Sequence, residues 1–147
     1  MPRRDLTFQP DCYYHLYNRG NNYNLIFFER ENYLHFLRLV RRHLIEQTLD
    51  VLAYCLMPNH YHLLVQCKTD AVSRAMQRLA VAYTKAMNRR YRRVGSLFQG
   101  QFQAIEVTRD RYLYHLTRYI HLNPVKAGMV LHPEDWEFSS YLDYAGL

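Results

Sequence analysis

The pattern of hydrophobic and polar positions predicts four β-strands in this chain. Four segments alternate in polarity or are rich in β-branched, aromatic and other apolar residues, and turn residues bound them. They are residues 13–18, 50–57, 60–66 and 101–107. Pro58 and Asn59, typical turn residues, separate the second segment from the third, so these two strands are predicted to form a hairpin.

Helical periodicity separates the strands. In three further segments, apolar residues recur at three- and four-residue spacing with polar residues between them. The segments are residues 31–47, residues 70–93, and a third that begins at Thr108 or Asp110 and ends near Asn123. Pro124 and Gly128 then interrupt the pattern, and the remaining tail is aromatic and mildly acidic.

The predicted order of elements is β-α-β-β-α-β-α, which is typical of an α+β protein. We predict a ferredoxin-like (RRM-like) antiparallel sheet with helices on one face, plus a C-terminal helix. The 147 residues favour one domain spanning 1–147, without an internal repeat or linker. The composition, 49% hydrophobic and 22% charged, excludes wholesale disorder and fibrous repeats.

Cysteine usage and the absence of targeting segments predict a cytoplasmic protein. No stretch approaches the roughly 18 consecutive apolar residues of a membrane helix, and residues 1–10 lack the apolar core of a signal peptide. Cys12, Cys55 and Cys67 are an odd number of cysteines, which disfavours a disulfide framework. We therefore expect reduced thiols and no membrane association.

Charge is distributed unevenly along the chain. The net charge is +6, and residues 1–73 hold 8 basic against 7 acidic side chains, whereas residues 74–147 hold 11 against 6. On the second predicted helix, five cations fall in one sector opposite the apolar face. These five residues, the basic stripe, are Arg74, Arg78, Lys85, Arg89 and Arg92. The stripe predicts contacts with the phosphates of a polyanionic partner.

Two histidines are the first candidates for chemistry. On a strand, His60 and His62 project from one face, about 7 Å apart, and Tyr61 projects from the other, so the two imidazoles can converge on one divalent ion. A half-buried pair without a ligand fits the same spacing, and both interpretations stay open. A structural zinc site that adds Cys55 and Cys67 is disfavoured, because the close Cys-x2-Cys spacing is missing.

Tyr119 and Asn123 are the second candidates. Their i and i+4 spacing places them on one face of the third helix, at the edge of its buried seam. Tyr114, Arg118 and His121 are predicted to point away from the core. Packing explains any one of the 14 tyrosines equally well, and an asparagine before proline can serve as a cap, so the spacing alone assigns no role.

Four motifs together resemble the REP-associated tyrosine transposases, which belong to the wider single-tyrosine HUH transposases. The motifs are YYHLYNRGN at residues 13–21, MPNHYHLL at 57–64, LFQG at 97–100 and RYIHLNPVKAG at 118–128. The resemblance covers nearly the whole chain. Gln101 and Gln103 depart from the family pattern, since relatives often carry Arg or Lys at these positions.

The resemblance implies a metal-dependent enzyme that cuts and joins single-stranded DNA at hairpin-associated sites. It implies that His60 and His62 bind Mg²⁺ or Mn²⁺ and that Asn123 completes the metal site. It also implies that Tyr119 is the catalytic nucleophile, which forms a 5′-phosphotyrosine intermediate. No role is carried over to His15.

Two other functions fit the same sequence. A protein of this fold can grip DNA or RNA hairpins without cutting them, and replication initiators and relaxases also use HUH chemistry. The complete set of four site residues favours a transposase over a binding protein, and the Asn-Pro-Val-Lys context does not suggest an initiator. Single-stranded or hairpin DNA is the expected partner, and the sequence leaves monomer and homodimer open.

Overall fold

The structure, a computed structural model, describes residues 6–146, so both ends of the predicted 1–147 domain lie outside the described residues. The strands and main helices are β1 (Tyr13–Arg19), α1 (Arg30–Val40), β2 (Leu49–Met57), β3 (His60–Cys67), α2 (Val72–Tyr91), β4 (Gln103–Val107), α3 (Asp110–Lys126) and α4 (Tyr141–Ala145). Short helical turns occupy Asn21–Tyr23, Arg41–Ile45 and Pro133–Asp135. No helix within residues 6–146 has the length and apolar character that crossing a membrane requires.

The four strands form one sheet in the order β2-β3-β1-β4, and every neighbouring pair is antiparallel. β3 lies between β1 and β2, and β1 lies between β3 and β4. Each helix, α1 and α2, therefore connects two strands that have a third strand between them, which is the ferredoxin-like topology. The predicted α+β fold class is confirmed, as is the hairpin turn at Pro58 and Asn59.

Alternation along β3 decides which side chains meet which helix. Tyr61 and Leu63 pack in the large core beneath α1 and α2. His62 and Leu64 project from the opposite face, where Leu64 joins a smaller core with Ile120 of α3. The histidine pair and α3 are therefore on one side of the sheet, and α2 is on the other.

Two helix ends differ from the sequence prediction. α2 ends at Tyr91, and Arg92 has left-handed backbone angles (φ 52°, ψ 47°), so the placement of Arg92 on the helical stripe is wrong. A left-handed residue is a common way for a helix to stop. α3 continues through Pro124 to Lys126 instead of ending near Asn123. Pro124 removes one helical N–H, but it lies in the last turn and its ring is buried.

The C-terminal segment covers the edge of the sheet beside β2. Its backbone bonds to that strand, and the N–H of Ser140 donates to the carbonyl of Tyr54 at 3.0 Å. The Ser140 hydroxyl lies 2.8 Å from Nε2 of His121, which is buried. The prediction that His121 points away is therefore wrong, because a segment without a predicted element packs over that side of α3.

Candidate active site

The histidine pair lies at the start of β3 and faces the C-terminal half of α3. The ring centroids of His60 and His62 are 5.0 Å apart. Asn123 reaches both rings, with Oδ1 3.1 Å from Nε2 of His60 and Nδ2 3.5 Å from Nε2 of His62. The fold thus brings together three residues that the sequence analysis proposed for one metal site.

A surrounding layer of hydrogen bonds sets which nitrogen each histidine turns toward Asn123. Nδ1 of His60 lies 2.8 Å from Oδ1 of Asn59, whose amide nitrogen donates to a backbone carbonyl. Nδ1 of His62 lies 2.9 Å from Nε2 of His15. When each Nδ1–H donates to its neighbour, both Nε2 lone pairs point toward Asn123.

Burial keeps these imidazoles in their neutral form. Burial lowers the pKa of His60 and outweighs the opposing effect of its hydrogen bond with Asn123. Burial, together with the nearby His15 and His60, lowers the pKa of His62 to about 3. Burial also lowers the pKa of His15 to about 4. Neutral imidazole is the form that ligates metal ions.

The chemistry of the donor atoms fits a divalent cation. In the tautomer whose Nδ1–H donates to Asn59, the Nε2 lone pair of His60 faces Oδ1 of Asn123 at 3.1 Å, whereas in the other tautomer the Nε2–H donates to this oxygen. Two lone pairs at this distance repel each other unless a cation joins them. Nε2 of His60, Nε2 of His62 and Oδ1 of Asn123 are therefore the atoms that could hold Mg²⁺ or Mn²⁺, ions that also accept water and substrate oxygens.

The geometry excludes the four-residue zinc alternative. Cys67 projects from β3 into the core beneath α1 and α2, on the opposite face from His62. Cys55 is fully buried opposite His62, and burial raises the pKa of its thiol to about 12. Within residues 6–146, no group of three His, Cys, Asp or Glu side chains could hold a metal ion, so a third protein ligand beside the two histidines would be an amide such as that of Asn123.

Tyr119 lies beside the histidines, one turn before Asn123 on α3. Its ring centroid is 5.9 Å from that of His62, in an edge-to-face arrangement. The residue is 42% exposed, and Nζ of Lys126 lies 5.2 Å from the centre of its ring. The phenol is therefore accessible to a large substrate and close to the candidate metal-binding atoms.

The basic stripe does not line this site. Its four members on α2 are exposed and lie across the sheet from the histidines; they are Arg74, Arg78, Lys85 and Arg89. Neither these four nor Arg92 pairs with a carboxylate of residues 6–146. Lys85 borders a groove that includes Phe98 and Gly100, in the loop that leads to β4. No ion pair within residues 6–146 therefore neutralises the charge of these side chains.

The sequence gives no role to His15 and does not single out Arg19, although both lie beside the histidine pair. His15 contacts His62 directly, and Arg19 stands opposite His60 in the pairing of β1 with β3. One signal was available, because positions 15, 17 and 19 alternate and so share one face of β1. The register between β1 and β3, which places this face beside the histidines, is set only when the sheet forms.

The fold is that of a transposase domain. The structure of a REP-associated tyrosine transposase bound to a REP hairpin superposes with a TM-score of 0.79 at 19% sequence identity, and it covers 96% of this chain and 82% of that one. A crystal structure assigned as a transposase from Deinococcus radiodurans gives a TM-score of 0.53 at 16% identity, covering 81% of this chain and 95% of that one.

The sequence identifies the family. Residues 8–123 match the family described as "Transposase IS200 like", and the chain belongs to that family. A Haemophilus influenzae protein described as a REP-associated tyrosine transposase is 29% identical over 106 residues, which are 63% of this chain and 58% of that protein. The chain thus spans somewhat more than half the length of this curated relative. The resemblance to REP-associated tyrosine transposases predicted from the four motifs is confirmed.

Proposed function

We propose that this protein is a metal-dependent single-stranded DNA endonuclease and strand transferase that acts beside DNA hairpins, with Tyr119 as nucleophile. One observation carries the proposal. α3 presents Tyr119 to His62 and, one turn later, Asn123 to both histidines. This adjacency of a phenol to two imidazoles and an amide supports the proposal, because phosphoryl transfer needs a nucleophile close to the metal-binding atoms.

The reaction is the one that the resemblance to REP-associated tyrosine transposases implies, and these residue types suit it. The Tyr119 hydroxyl releases its proton to solvent as its oxygen attacks the phosphorus. The bond to the 3′ oxygen breaks, and that oxygen takes a proton from solvent and leaves as a 3′-hydroxyl. The product is a 5′-phosphotyrosine, which a second 3′-hydroxyl can attack to rejoin DNA. Mg²⁺ or Mn²⁺, when bound by His60, His62 and Asn123, would polarise a non-bridging phosphate oxygen.

His60 and His62 line a cleft together with Arg19 and Gln101, the histidine cleft. A hairpin is the partner that we propose for the surface outside this cleft. The solved relative is bound to a REP hairpin, and the α2 cations offer unpaired charge to the phosphates of a duplex stem. The groove beside Lys85 and Gly100 lies next to the loop residue Gln101, which lines the histidine cleft. A stem on α2 and a single strand in the cleft can therefore be parts of one DNA molecule.

The test is covalent trapping. The protein is incubated with Mn²⁺ and labelled hairpin oligonucleotides that carry single-stranded flanks, and a denaturing gel is examined for a protein–DNA adduct. We expect an adduct with the wild type and with Tyr114→Phe, an exposed tyrosine on the same helix. Tyr119→Phe should bind the oligonucleotide but form no adduct, and digestion should leave the nucleotide mass on the peptide that contains Tyr119.

Two results would contradict the proposal. An adduct that persists in Tyr119→Phe would assign the nucleophile to another residue. Tight hairpin binding without any adduct, over a range of metal ions and flanking sequences, would favour the alternative of a hairpin-binding protein that does not cut.

A further inference from the structure

Arg19 occupies a position that none of the steps above uses. It is the last residue of β1 and stands directly opposite His60 on the neighbouring strand β3. Directly opposed residues of antiparallel strands project from the same face, with Cβ atoms about 5 Å apart. Arg19 therefore stands next to a candidate metal-binding histidine, and both line the same cleft.

The surrounding backbone holds Arg19 firmly in place. Its carbonyl accepts from the N–H of Gln99 at 3.0 Å, and the N–H of the following Gly20 donates to the carbonyl of Asn59 at 2.9 Å. Asn59 also contacts His60 through its side chain. One network thus fixes the position of the arginine relative to the histidine.

The guanidinium of Arg19 lacks a partner for its charge. It stacks on the ring of Tyr23, 3.8 Å from the ring centre. Its Nη1 atom is buried and makes no hydrogen bond with any residue of 6–146, and no carboxylate in that range lies within ion-pair distance. A buried donor on a charged group is costly when unsatisfied, so native proteins usually supply such a donor with a protein, water or ligand acceptor.

We propose that Arg19 binds a phosphodiester group of the DNA strand that lies in this cleft. This inference rests on the proposed function. The guanidinium fork matches the oxygen atoms of a phosphate, and stacking on Tyr23 orients the fork before the ligand arrives. Gln99, Gln101 and Gln103, which also line the cleft, are neutral amides that suit base edges better than phosphates. The phosphate is thus assigned to Arg19.

The experiment measures binding without cleavage, in a Tyr119→Phe background. Arg19→Gln and Arg19→Lys are compared with Arg38→Gln, which removes an exposed charge on α1, across the sheet from the cleft. Each protein is titrated with single-stranded oligonucleotides that carry one neutral methylphosphonate at successive positions. Thermal melting of each variant is recorded in parallel.

We expect Arg19→Gln to weaken binding by roughly ten-fold or more, as loss of a charged hydrogen bond does. The salt dependence should fall by about 0.7 in slope, the contribution of one single-strand phosphate. A methylphosphonate at one position should weaken binding to the parent protein, which keeps Arg19. The same methylphosphonate should not weaken binding to Arg19→Gln any further. Arg19→Lys should retain part of the affinity because it keeps the charge and loses the fork, and Arg38→Gln should bind normally.

The inference would be overturned if Arg19→Gln bound the oligonucleotide within two-fold of the parent affinity. It would also be overturned if Arg19→Gln and its parent responded equally to methylphosphonate at every position. If Arg19→Gln melts at a markedly lower temperature, the inference is tested with the methylphosphonate series on Arg19→Lys instead. A general loss of stability would not make the effect of Arg19 depend on one particular phosphate. Wild-type adduct formation is scored separately. If the wild type forms the adduct but no phosphate position depends on Arg19, this inference is rejected and the proposed function stands. If the protein binds no oligonucleotide, both the inference and the proposed function are rejected.

Discussion

The hydrogen bond between His15 and His62 gives the sharpest test of how the site is built. Both residues are buried, and Nε2 of His15 lies 2.9 Å from Nδ1 of His62. His15→Leu keeps a side chain of comparable bulk and removes the acceptor. The Nδ1–H of His62 then has no partner, and the ring is free to rotate or to adopt the other tautomer.

Two effects should follow from this loss. Leaving a buried donor unsatisfied costs about 1–3 kcal/mol, so the free energy of unfolding should fall by roughly that amount. Removing the partner that orients a metal-binding histidine typically weakens metal affinity by about 10- to 100-fold. That factor corresponds to about 1.4–2.8 kcal/mol of binding free energy.

The assay is a calorimetric titration with Mn²⁺, together with urea unfolding of the metal-free protein. His15→Gln places an amide oxygen near the position of the lost nitrogen and should recover most of the Mn²⁺ affinity. His132→Leu removes an exposed histidine outside the site and should change neither measurement. Unchanged Mn²⁺ affinity in His15→Leu, or a loss in His15→Gln as large as that in His15→Leu, would refute the orienting role.

Three further predictions follow from the same geometry. His60→Ala should abolish the covalent adduct and leave the melting temperature nearly unchanged. Asn123→Ala should retain some adduct, because water can replace an amide ligand. Equal adduct formation by the two variants in the trapping assay would contradict this difference. Tyr83→Phe should lower the free energy of unfolding by about 1–2 kcal/mol in urea, since the buried Tyr83 hydroxyl donates to the carbonyl of Ile26 at 2.6 Å. Replacing three stripe cations by glutamine should weaken hairpin binding about equally for all sequences and lower the salt slope, and an unchanged slope would place the DNA elsewhere. The three cations are Arg78, Lys85 and Arg89.

The sheet and the hairpin were predictable because their signals are local. Alternation over five to nine residues, with Pro58 and Asn59 between two runs, specifies strands and a turn without reference to the rest of the chain. The face shared by His60 and His62 follows from the same alternation. The i and i+4 spacing likewise placed Tyr119 and Asn123 together on α3.

The errors arise where something other than helical periodicity determines the position of a side chain. His121 occupies the outward side of α3 by periodicity, yet Ser140 and its neighbours pack over it. Arg92 continues the helical pattern, but the chain turns into a left-handed conformation at that residue. The neighbours of His15 and Arg19 depend on the register between β1 and β3, which are separated by α1 and β2 along the chain.

The position of Ile120 explains how a mostly exposed helix can hold the site in register. Ile120 is fully buried against the sheet and lies directly after Tyr119 in α3. Asn123 follows three residues later, less than one helical turn further along. Because a helix is rigid over this distance, the anchoring of Ile120 fixes the phenol and the amide together relative to the histidines of β3. The distance between Tyr119 and the proposed metal-binding atoms is thus set by the packing of Ile120, together with the neighbouring buried residues His121 and Pro124.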